Sequence, residues 1–462
     1  MEAVKLTPKP KRQREVHKKK TSAAIYQTVW RWHFYAGLIF APFLIILAFS
    51  GAVYLFKPQI ESVLYHDLYY VEEKGDILSS TKQIDEVQKA YPEAAISSIK
   101  YYDDPLRTAE IGIMTNGKTS SAFINPYTGE VAGTLSDDEK FTTIFKKIHS
   151  ELLIGGTLAN RLVELAACWA VILLITGLYI WWPRNKASIW GTILPRFNRK
   201  GRIFWRDMHA VPAFWLSLFM LILILTGLPW SGVMGERINR LATYSNTGYP
   251  PFAHSFGEKP ESIVKTKDVA EDIPWAAENI PVPNSSVTGY VPLSLEKVTD
   301  IAQAEKIQKP YTISMPQGEK GVYTISTSHT KPGDNATLHV DQYSGAILSD
   351  VRFDDYGIMG KGITMGVALH EGRLFGVANQ ILGLITCLGL IGLIISSYVM
   401  WRKRKPQESS GAPPKSKDSK VTRVVFFIML GLGIVMPLVG ISIIAVYLLD
   451  RFVFSKIPSV QN

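Results

Sequence analysis

A chain of 462 residues with 47% hydrophobic and only 19% charged residues is too apolar for an ordinary soluble protein. Its formal net charge of +10 comes largely from Lys and Arg beside apolar runs, with no patch of interleaved aromatics, which argues against nucleic-acid binding. Both cysteines fall within apolar runs, so the polar segments have no disulfide framework. The composition predicts a membrane protein that carries sizeable polar domains.

Five apolar runs are long enough to cross a hydrocarbon core of about 30 Å at 1.5 Å per helical residue. Lys and Arg cluster before the first run and in the two short loops, and short basic loops stay in the cytoplasm. The first run is too long for a cleaved signal peptide and is expected to remain as a span. The predicted segments are a poorly ordered cytoplasmic tail 1–24, spans 25–56, 158–182, 208–230, 377–401 and 424–449, cytoplasmic loops 183–207 and 402–423, extracytoplasmic segments 57–157 and 231–376, and an extracytoplasmic tail 450–462.

The two long segments between spans share one plan, a helix followed by alternating strands. In the first, a helix over 81–91 precedes strands at 96–102, 109–115 and 121–124. The second has a helix over 293–304 and strands at 311–315, 322–326 and 337–340. Before it, Met234 to Val291 is proline-rich and is expected to be an irregular lid or connector. We therefore expect two small α+β modules.

The apolar runs and their flanks are also duplicated. Trp30-Arg31-Trp32-His33 opens the first span and Trp205-Arg206-Asp207-Met208-His209 opens the third. His33 precedes Ser50-Gly51 by the same interval that separates His209 from Thr226-Gly227. His149 and His370 stand before the second and fourth spans. The predicted fold class is a membrane α-helical bundle with a four-helix core from a tandem repeat, a peripheral fifth helix and two extracytoplasmic α+β modules.

The four repeated histidines are the candidate cofactor ligands. His33 and His209 are predicted at the cytoplasmic face, and His149 and His370 at the outer face. Two imidazoles from different helices at one depth are what a b-type haem requires, so two haems are predicted, with these histidines as axial iron ligands. An interfacial role explains any one of them alone, but polar residues near spans are more often functional. Zinc would lack two of its usual four ligands.

Arginines beside these histidines are candidate partners for haem propionates. Arg31 and Arg206 flank the inner histidines, and Arg373 follows an outer one. Retention of positive charge in the cytoplasm explains the first two nearly as well. Small residues of the spans, among them Ser50, Thr176 and Thr226, are read mainly as helix-packing positions. No catalytic side chain is predicted, and no hydrolase, nucleotide-binding or flavin motif is present.

Taken together, these motifs resemble the PepSY-associated transmembrane family over roughly residues 25–405. The resemblance rests on the Trp-Arg-x-His opening, the turn Tyr127-Thr128-Gly129-Glu130, His149 with its downstream Gly155, and the Asp207-Met208-His209 entry. The family is similar to bacterial inner-membrane siderophore-iron reductases, in which a four-helix core with PepSY-like outer domains holds two b haems. The resemblance implies PepSY-like modules, a bacterial cytoplasmic membrane and a role in iron uptake, with His33, His149, His209 and His370 as the axial ligands.

Two functions of different classes follow. The first is a di-haem oxidoreductase that takes electrons from a quinol or a cytosolic reductase and reduces an extracytoplasmic ferric siderophore or other Fe(III) chelate. Reduction releases iron because Fe(II) suits hard oxygen ligands less well, and an iron-siderophore transporter is then a further partner. The alternative is a binding or regulatory membrane protein that inhibits a peptidase or senses a ligand. This alternative gives the paired histidines no role.

Overall fold

The computed structural model describes residues 10–183, 188–248, 264–285, 291–328, 331–404, 411–414, 416 and 418–452. They form two compact units, each assembled from segments that are distant in sequence. We call these the helical unit (Met1–Ala52, Ile148–Glu236 and Leu384–Asn462) and the sheet unit (Val53–Lys147 and Arg237–Gly383).

Helices account for the apolar runs and for several shorter segments. Among the described residues, four helices are long and apolar enough to cross a membrane, and they coincide with the first four predicted spans. In chain order the α-helices are α1 (Pro10–Tyr54), α2 (Lys57–Leu64), α3 (His66–Tyr69), α4 (Ser80–Ala90), α5 (Phe141–Glu151), α6 (Gly156–Trp181), α7 (Arg202–Gly227), α8 (Val233–Tyr244), α9 (Thr266–Val269), α10 (Leu295–Ala304), α11 (Ile358–His370), α12 (Val377–Arg404), α13 (Ser419–Val435) and α14 (Pro437–Phe452).

The first helix begins well before the first predicted span. α1 is continuous from Pro10, so the expectation that the tail 1–24 lacks fixed structure is wrong from residue 10 onward. Residues 1–9 lie outside the described part of the chain. Proline at a helix start leaves no hydrogen bond unmade, and no glycine follows before Gly37. The basic segment extends the helix because adding residues to an existing helix carries no nucleation cost.

The fifth predicted span, 424–449, is two helices and not one. α13 ends at Val435, and Pro437 opens α14, because proline cannot continue the preceding helix. The rings of Phe426 and Tyr447 lie 5.6 Å apart, so the two helices run in opposite directions. The chain therefore returns to the side from which α13 starts. This removes the basis for placing the tail 450–462 across the membrane from the linker 402–423.

Two glycines allow the turn of this hairpin to close. A Cβ atom added to Gly433 would lie 2.4 Å from the Cα atom of Gly440, which is backbone and cannot move aside cheaply. The hairpin packs on α6, where Trp169 Nε1 donates to Ser442 Oγ at 3.1 Å. The same Trp169 ring stacks on Phe40 of α1 at 5.5 Å. The C-terminal hairpin is thus an integral part of the helical unit.

A buried carboxylate fastens the loop between α6 and α7. Asp207 is fully buried and accepts from the backbone N–H of Arg196 at 3.2 Å and from its Nε at 2.7 Å. Arg206 donates to the same carboxylate through Nη2 at 2.7 Å. Trp181 Nε1 donates to the Thr192 carbonyl at 3.0 Å. The residue that precedes Met208-His209 therefore holds a loop to the start of α7.

The sheet unit is built on a single sheet of eight strands in the described residues, with every pair antiparallel. The predicted modules are joined, because β1 pairs with β5, with Ile99 opposite Ile313 and Tyr101 opposite Tyr311. The first strands of the two copies meet at the centre, in the order β4-β3-β2-β1-β5-β6-β7-β8. The strands are β1 (Ala95–Tyr101), β2 (Ala109–Thr115), β3 (Lys118–Ile124), β4 (Val131–Ser136), β5 (Tyr311–Ser314), β6 (Val322–Thr327), β7 (Ala336–Asp341) and β8 (Ile347–Arg352).

One face of this sheet carries the apolar core. Helices α4 and α10 supply Val87 and Val298, both with no exposed surface. The strands supply alternating aliphatic side chains, as expected for a sheet with one face packed on helices. Burying each Ile, Leu or Val side chain is worth about 1.5–3 kcal/mol. The strand residues of this core that have no exposed surface are Ile99, Ile111, Ala122, Ile124, Ile313, Ile325, Leu338 and Val340.

The opposite face carries polar side chains that are also buried. His339 on β7 faces Thr324 on β6 and is 1% exposed. Its Nδ1 lies 3.0 Å from Thr324 Oγ1, and its Nε2 lies 3.3 Å from Thr266 Oγ1. Burial lowers the pKa of His339 from 6.5 to about 4. This histidine is a hydrogen-bonded core residue of the sheet unit.

The connector 234–291 is more regular than the sequence indicated. It contains α8 and α9, so the expectation of an irregular stretch is wrong for those parts. Trp275, Ala276 and Ile280 form a second buried cluster with Tyr356 and neighbouring apolar residues. Tyr249-Pro250-Pro251 lies outside the described residues. Part of the connector therefore contributes to a buried core, which its proline-rich sequence did not indicate.

Candidate functional site

The helical unit brings two of the four predicted histidines together. His33 lies on α1 and His209 in the second turn of α7. A positive charge on His209 would be felt electrostatically at the His33 ring. The two histidines of the predicted inner pair are therefore close enough to influence each other, and their shared role as ligands stays a prediction.

His33 is held by the facing helix. Its Nδ1 lies 2.9 Å from Thr176 Oγ1 on α6. The Thr176 hydroxyl donates its own proton to the Ile172 carbonyl at 2.7 Å, so its oxygen is the acceptor and His33 Nδ1 carries the proton. The Leu173 carbonyl is a further acceptor for this ring. A Cβ atom on Gly177 would lie 3.2 Å from His33 Cε1, so the glycine gives the ring its clearance.

His209 is held in the same way by α12. Its Nδ1 lies 2.9 Å from the Leu393 carbonyl, which can only accept, so this nitrogen also carries the proton. Ser396 Oγ lies 3.5 Å from the same nitrogen and donates to Leu393 at 2.9 Å. The hydroxyl is therefore a weaker neighbour of His209 than Thr176 is of His33.

His149, at the end of α5, makes the corresponding contacts with α1. Its Nδ1 lies 3.0 Å from the Leu47 carbonyl and 3.2 Å from Ser50 Oγ. The Ser50 hydroxyl donates to the Ile46 carbonyl at 2.7 Å. A Cβ atom on Gly51 would lie 3.2 Å from His149 Cε1. The dipeptide Ser50-Gly51 thus receives His149 as Thr176-Gly177 receives His33.

We call each of these arrangements a hydroxyl seat: a Ser or Thr bonded back to its own helix, with the leucine carbonyl three residues earlier, facing a histidine Nδ1. The three described seats are Leu47/Ser50, Leu173/Thr176 and Leu393/Ser396. Because Nδ1 is the donor in each, the lone pair of the imidazole lies on Nε2. Fixing a ring through Nδ1 so that Nε2 faces a metal is the usual second layer of a histidine ligand site.

The turn that follows His149 is strained. Leu152 and Leu153 have φ of 52° and 62°, and Gly155 and Gly156 follow with 75° and 79°. A left-handed backbone costs a non-glycine residue roughly 1–2 kcal/mol. Strain of this kind persists where the surrounding structure requires it, often beside functional residues. The turn lets α6 begin shortly after the histidine.

His370 ends α11 and belongs to the sheet unit. It is followed by Glu371, whose carboxylate accepts from Arg373 Nε at 2.7 Å. The pairing of His370 with His149 stays a prediction from the repeat. Thr226 in α7 makes the internal bonds of a seat, donating to Ile222 at 2.7 Å, as Ser50 does to Ile46.

The three predicted arginines all have protein partners. Arg31 Nη1 donates to the Pro413 carbonyl at 2.7 Å and its guanidinium lies over the Tyr35 ring. Arg206 is bound to Asp207 and is half exposed. Arg373 is bound to Glu371. Their predicted role as propionate partners stays untested.

Sequence reasoning missed another arginine near His33. The Arg404 guanidinium lies 5.2 Å from the Trp30 ring and 5.0 Å from the Phe34 ring, the residues around His33 on α1. Its Nε is buried and has no hydrogen-bond partner among the described residues. Its position in a basic stretch at a span end suggested only charge retention. A partly buried guanidinium whose buried Nε has an unused donor is suited to a carboxylate ligand.

No group of three or more His, Cys, Asp or Glu side chains in the described residues is arranged to hold a bare metal ion. A haem needs only two axial imidazoles. The model for the PepSY-associated TM region matches residues 30–404, which is most of the chain. No curated protein matches the chain.

Proposed function

The chain belongs to the PepSY-associated transmembrane family and is a multi-pass membrane protein, and from that premise we propose that it is a di-haem oxidoreductase. It sits in a bacterial cytoplasmic membrane with its N-terminus in the cytoplasm. It passes electrons outward to an extracytoplasmic ferric siderophore or related Fe(III) chelate, so that iron is released for uptake.

The observation that carries this proposal is the way His33 and His209 use their ring nitrogens. Their described hydrogen bonds are all at Nδ1. His339, a purely structural histidine, instead binds a threonine at each nitrogen. Two neighbouring imidazoles that both keep the lone pair on Nε2, inside a helical bundle, are what bis-histidine haem ligation needs.

In the proposal His33 and His209 are the axial ligands at the cytoplasmic side, and His149 and His370 those at the outer side. Arg404, with its unused donor beside Trp30 and Phe34, is the arginine we expect to meet a haem carboxylate. Each haem, when bound, supplies one-electron transfer. Along α1, residues 33 and 50 mark the two levels, which are about 26 Å apart at 1.5 Å per residue.

The electron balance needs a donor and an acceptor. A quinol that is oxidised to quinone gives two electrons and two protons, and a cytosolic reductase is the other class of donor. Each electron reduces one chelated Fe(III) to Fe(II), which its hard oxygen ligands hold less tightly. The released iron then passes to a transporter.

The test is a reduced-minus-oxidised visible spectrum of detergent-purified protein, with haem counted as the pyridine haemochrome. We expect two b haems in the parent. His33→Ala and His209→Ala should each lose the same haem, and His149→Ala and His370→Ala the other. His66→Ala is the matched control, because that side chain is 68% exposed.

A parent that stays colourless after expression with ample haem would contradict the proposal. The extracytoplasmic binding or regulatory function would then be the better account. If every histidine variant except His66→Ala lost both haems, the pairing would be contradicted. The proposal that the parent protein binds haem would still stand.

A further inference from the structure

We propose that Thr176 and Ser50 are positioning residues, whose hydroxyls set the orientation and electron-donating strength of the histidine that each receives. The inference rests on the proposed haem sites. It goes beyond them because it assigns a specific role to residues whose type and spacing indicated mainly helix packing.

The first argument is the direction of the hydrogen bonds. The hydroxyls of Thr176 and Ser50 both donate to carbonyls of their own helices, at 2.7 Å. Each oxygen can therefore only accept from the imidazole that faces it. The bond selects the Nδ1–H form of the histidine, and a lone pair remains on Nε2.

The second argument is the clearance beside each hydroxyl. Gly177 and Gly51 leave room for the two rings, since an added Cβ would stand 3.2 Å from the imidazole Cε1 in both cases. Such a contact is tighter than ordinary van der Waals packing. Hydroxyl and glycine together therefore fix both the rotation of the ring and its depth between the helices.

The third argument is reciprocity. α6 provides the seat for His33 of α1, and α1 provides the seat for His149, which precedes α6. The two seats stand at opposite ends of one helix pair. If these hydroxyls served only helix packing, a histidine would not be needed beside each of them at both ends of the helix pair.

An acceptor at Nδ1–H raises the electron density at Nε2. A more basic axial imidazole stabilises the ferric state over the ferrous state, which lowers the midpoint potential. Removing the Thr176 oxygen should therefore raise the potential of the cytoplasmic-side haem. The Leu173 carbonyl remains as an acceptor, so the shift is expected to be partial.

His209 offers an internal contrast. Its main acceptor is the Leu393 carbonyl at 2.9 Å, and Ser396 Oγ is 3.5 Å away. Removing the Ser396 hydroxyl leaves the stronger bond in place. Ser396→Ala should therefore shift the same midpoint potential much less than Thr176→Val does.

The experiment compares Thr176→Val, which keeps the shape and removes the hydroxyl, with Thr176→Ser, which keeps the hydroxyl. Haem content is counted first, and midpoint potentials are then measured by spectroelectrochemical titration. We expect Thr176→Val to move one of two midpoints to a more positive value, with Thr176→Ser close to the parent. Ser50→Ala should move the other midpoint in the same direction but by less, because the Leu47 carbonyl lies 3.0 Å from His149 Nδ1, closer than the Ser50 hydroxyl at 3.2 Å, and remains as an acceptor. Ser217 is a span hydroxyl bonded to its own helix at Phe214, and Ser217→Ala should move neither midpoint.

The outcomes separate the inference from the proposed function. A parent without haem would overturn both. A haem-loaded parent whose midpoints are unchanged in Thr176→Val, or equally changed in Thr176→Ser, would overturn the inference alone. If Thr176→Val loses one haem, retention of that haem by Thr176→Ser supports the positioning role, and its loss from both variants refutes it.

Discussion

The buried His339 makes the stability of the sheet unit depend on pH. In the unfolded chain its pKa is near 6.5, and burial lowers it to about 4 in the folded unit. Between these values the unfolded chain binds a proton that the folded chain excludes. The stabilisation is therefore complete above pH 6.5 and is lost as the pH falls toward 4.

The size of the effect follows from the shift. One pKa unit corresponds to about 1.4 kcal/mol, so the sheet unit should lose about 3 kcal/mol of unfolding free energy over this range. That is a substantial share of the 5–15 kcal/mol typical of a folded domain. Both ring nitrogens face neutral threonines, Thr324 and Thr266, which cannot offset the new charge.

The assay is hydrogen–deuterium exchange of peptides from β6 and β7 between pH 4 and 7, corrected for the intrinsic pH dependence of exchange. His339→Gln provides the comparison, because an amide does not titrate and other acidic groups contribute equally to both proteins. We expect the opening free energy of the parent to fall toward pH 4 by about 3 kcal/mol more than that of the variant. Parallel curves for the two proteins would refute the assignment.

Two further predictions concern the helical unit. Asp207→Asn removes the buried charge that binds Arg196, and we expect the unfolding free energy to fall by about 3–5 kcal/mol. The measurements are a lower unfolding temperature in detergent and faster tryptic cleavage of the loop before α7. An unchanged unfolding temperature would contradict a stabilising role for this ion pair. Gly433→Val should separate α13 from α14, because the added side chain would meet the backbone of Gly440. Gly431→Val should be tolerated, since nothing lies within 4 Å of its added Cβ. Cross-linking of cysteines introduced into the two helices measures both variants, and equal cross-linking yields would contradict the close packing of the hairpin.

Local patterns predicted most elements closely. The helix expected over 81–91 is α4 (Ser80–Ala90), and the strand expected over 109–115 is β2. These elements follow from period and capping within a few residues. Pro437 was a comparable signal for the end of a helix, but the apolar run on both sides of it favoured one continuous span.

The candidate site was only partly readable. Paired histidines at repeated positions predicted the meeting of His33 and His209. Thr176 was noted in the sequence only as a small polar residue of a span and was read mainly as a packing position, so its contact with His33 was not predicted. Ser396 was not singled out, because aligning Tyr398 with Tyr179 places it opposite Gly177 and not opposite Thr176.

The sequence by itself determined the membrane class, the duplication and the repeated positions of four histidines, because hydropathy, charge flanks and repeated spacing act over short stretches of chain. Only the tertiary structure decided that β1 pairs with β5, that the polar face around His339 is core, and that hydroxyls of one helix orient histidines from another. These contacts join residues far apart in the chain. Their partners are chosen by packing and hydrogen-bond direction, which no local pattern encodes.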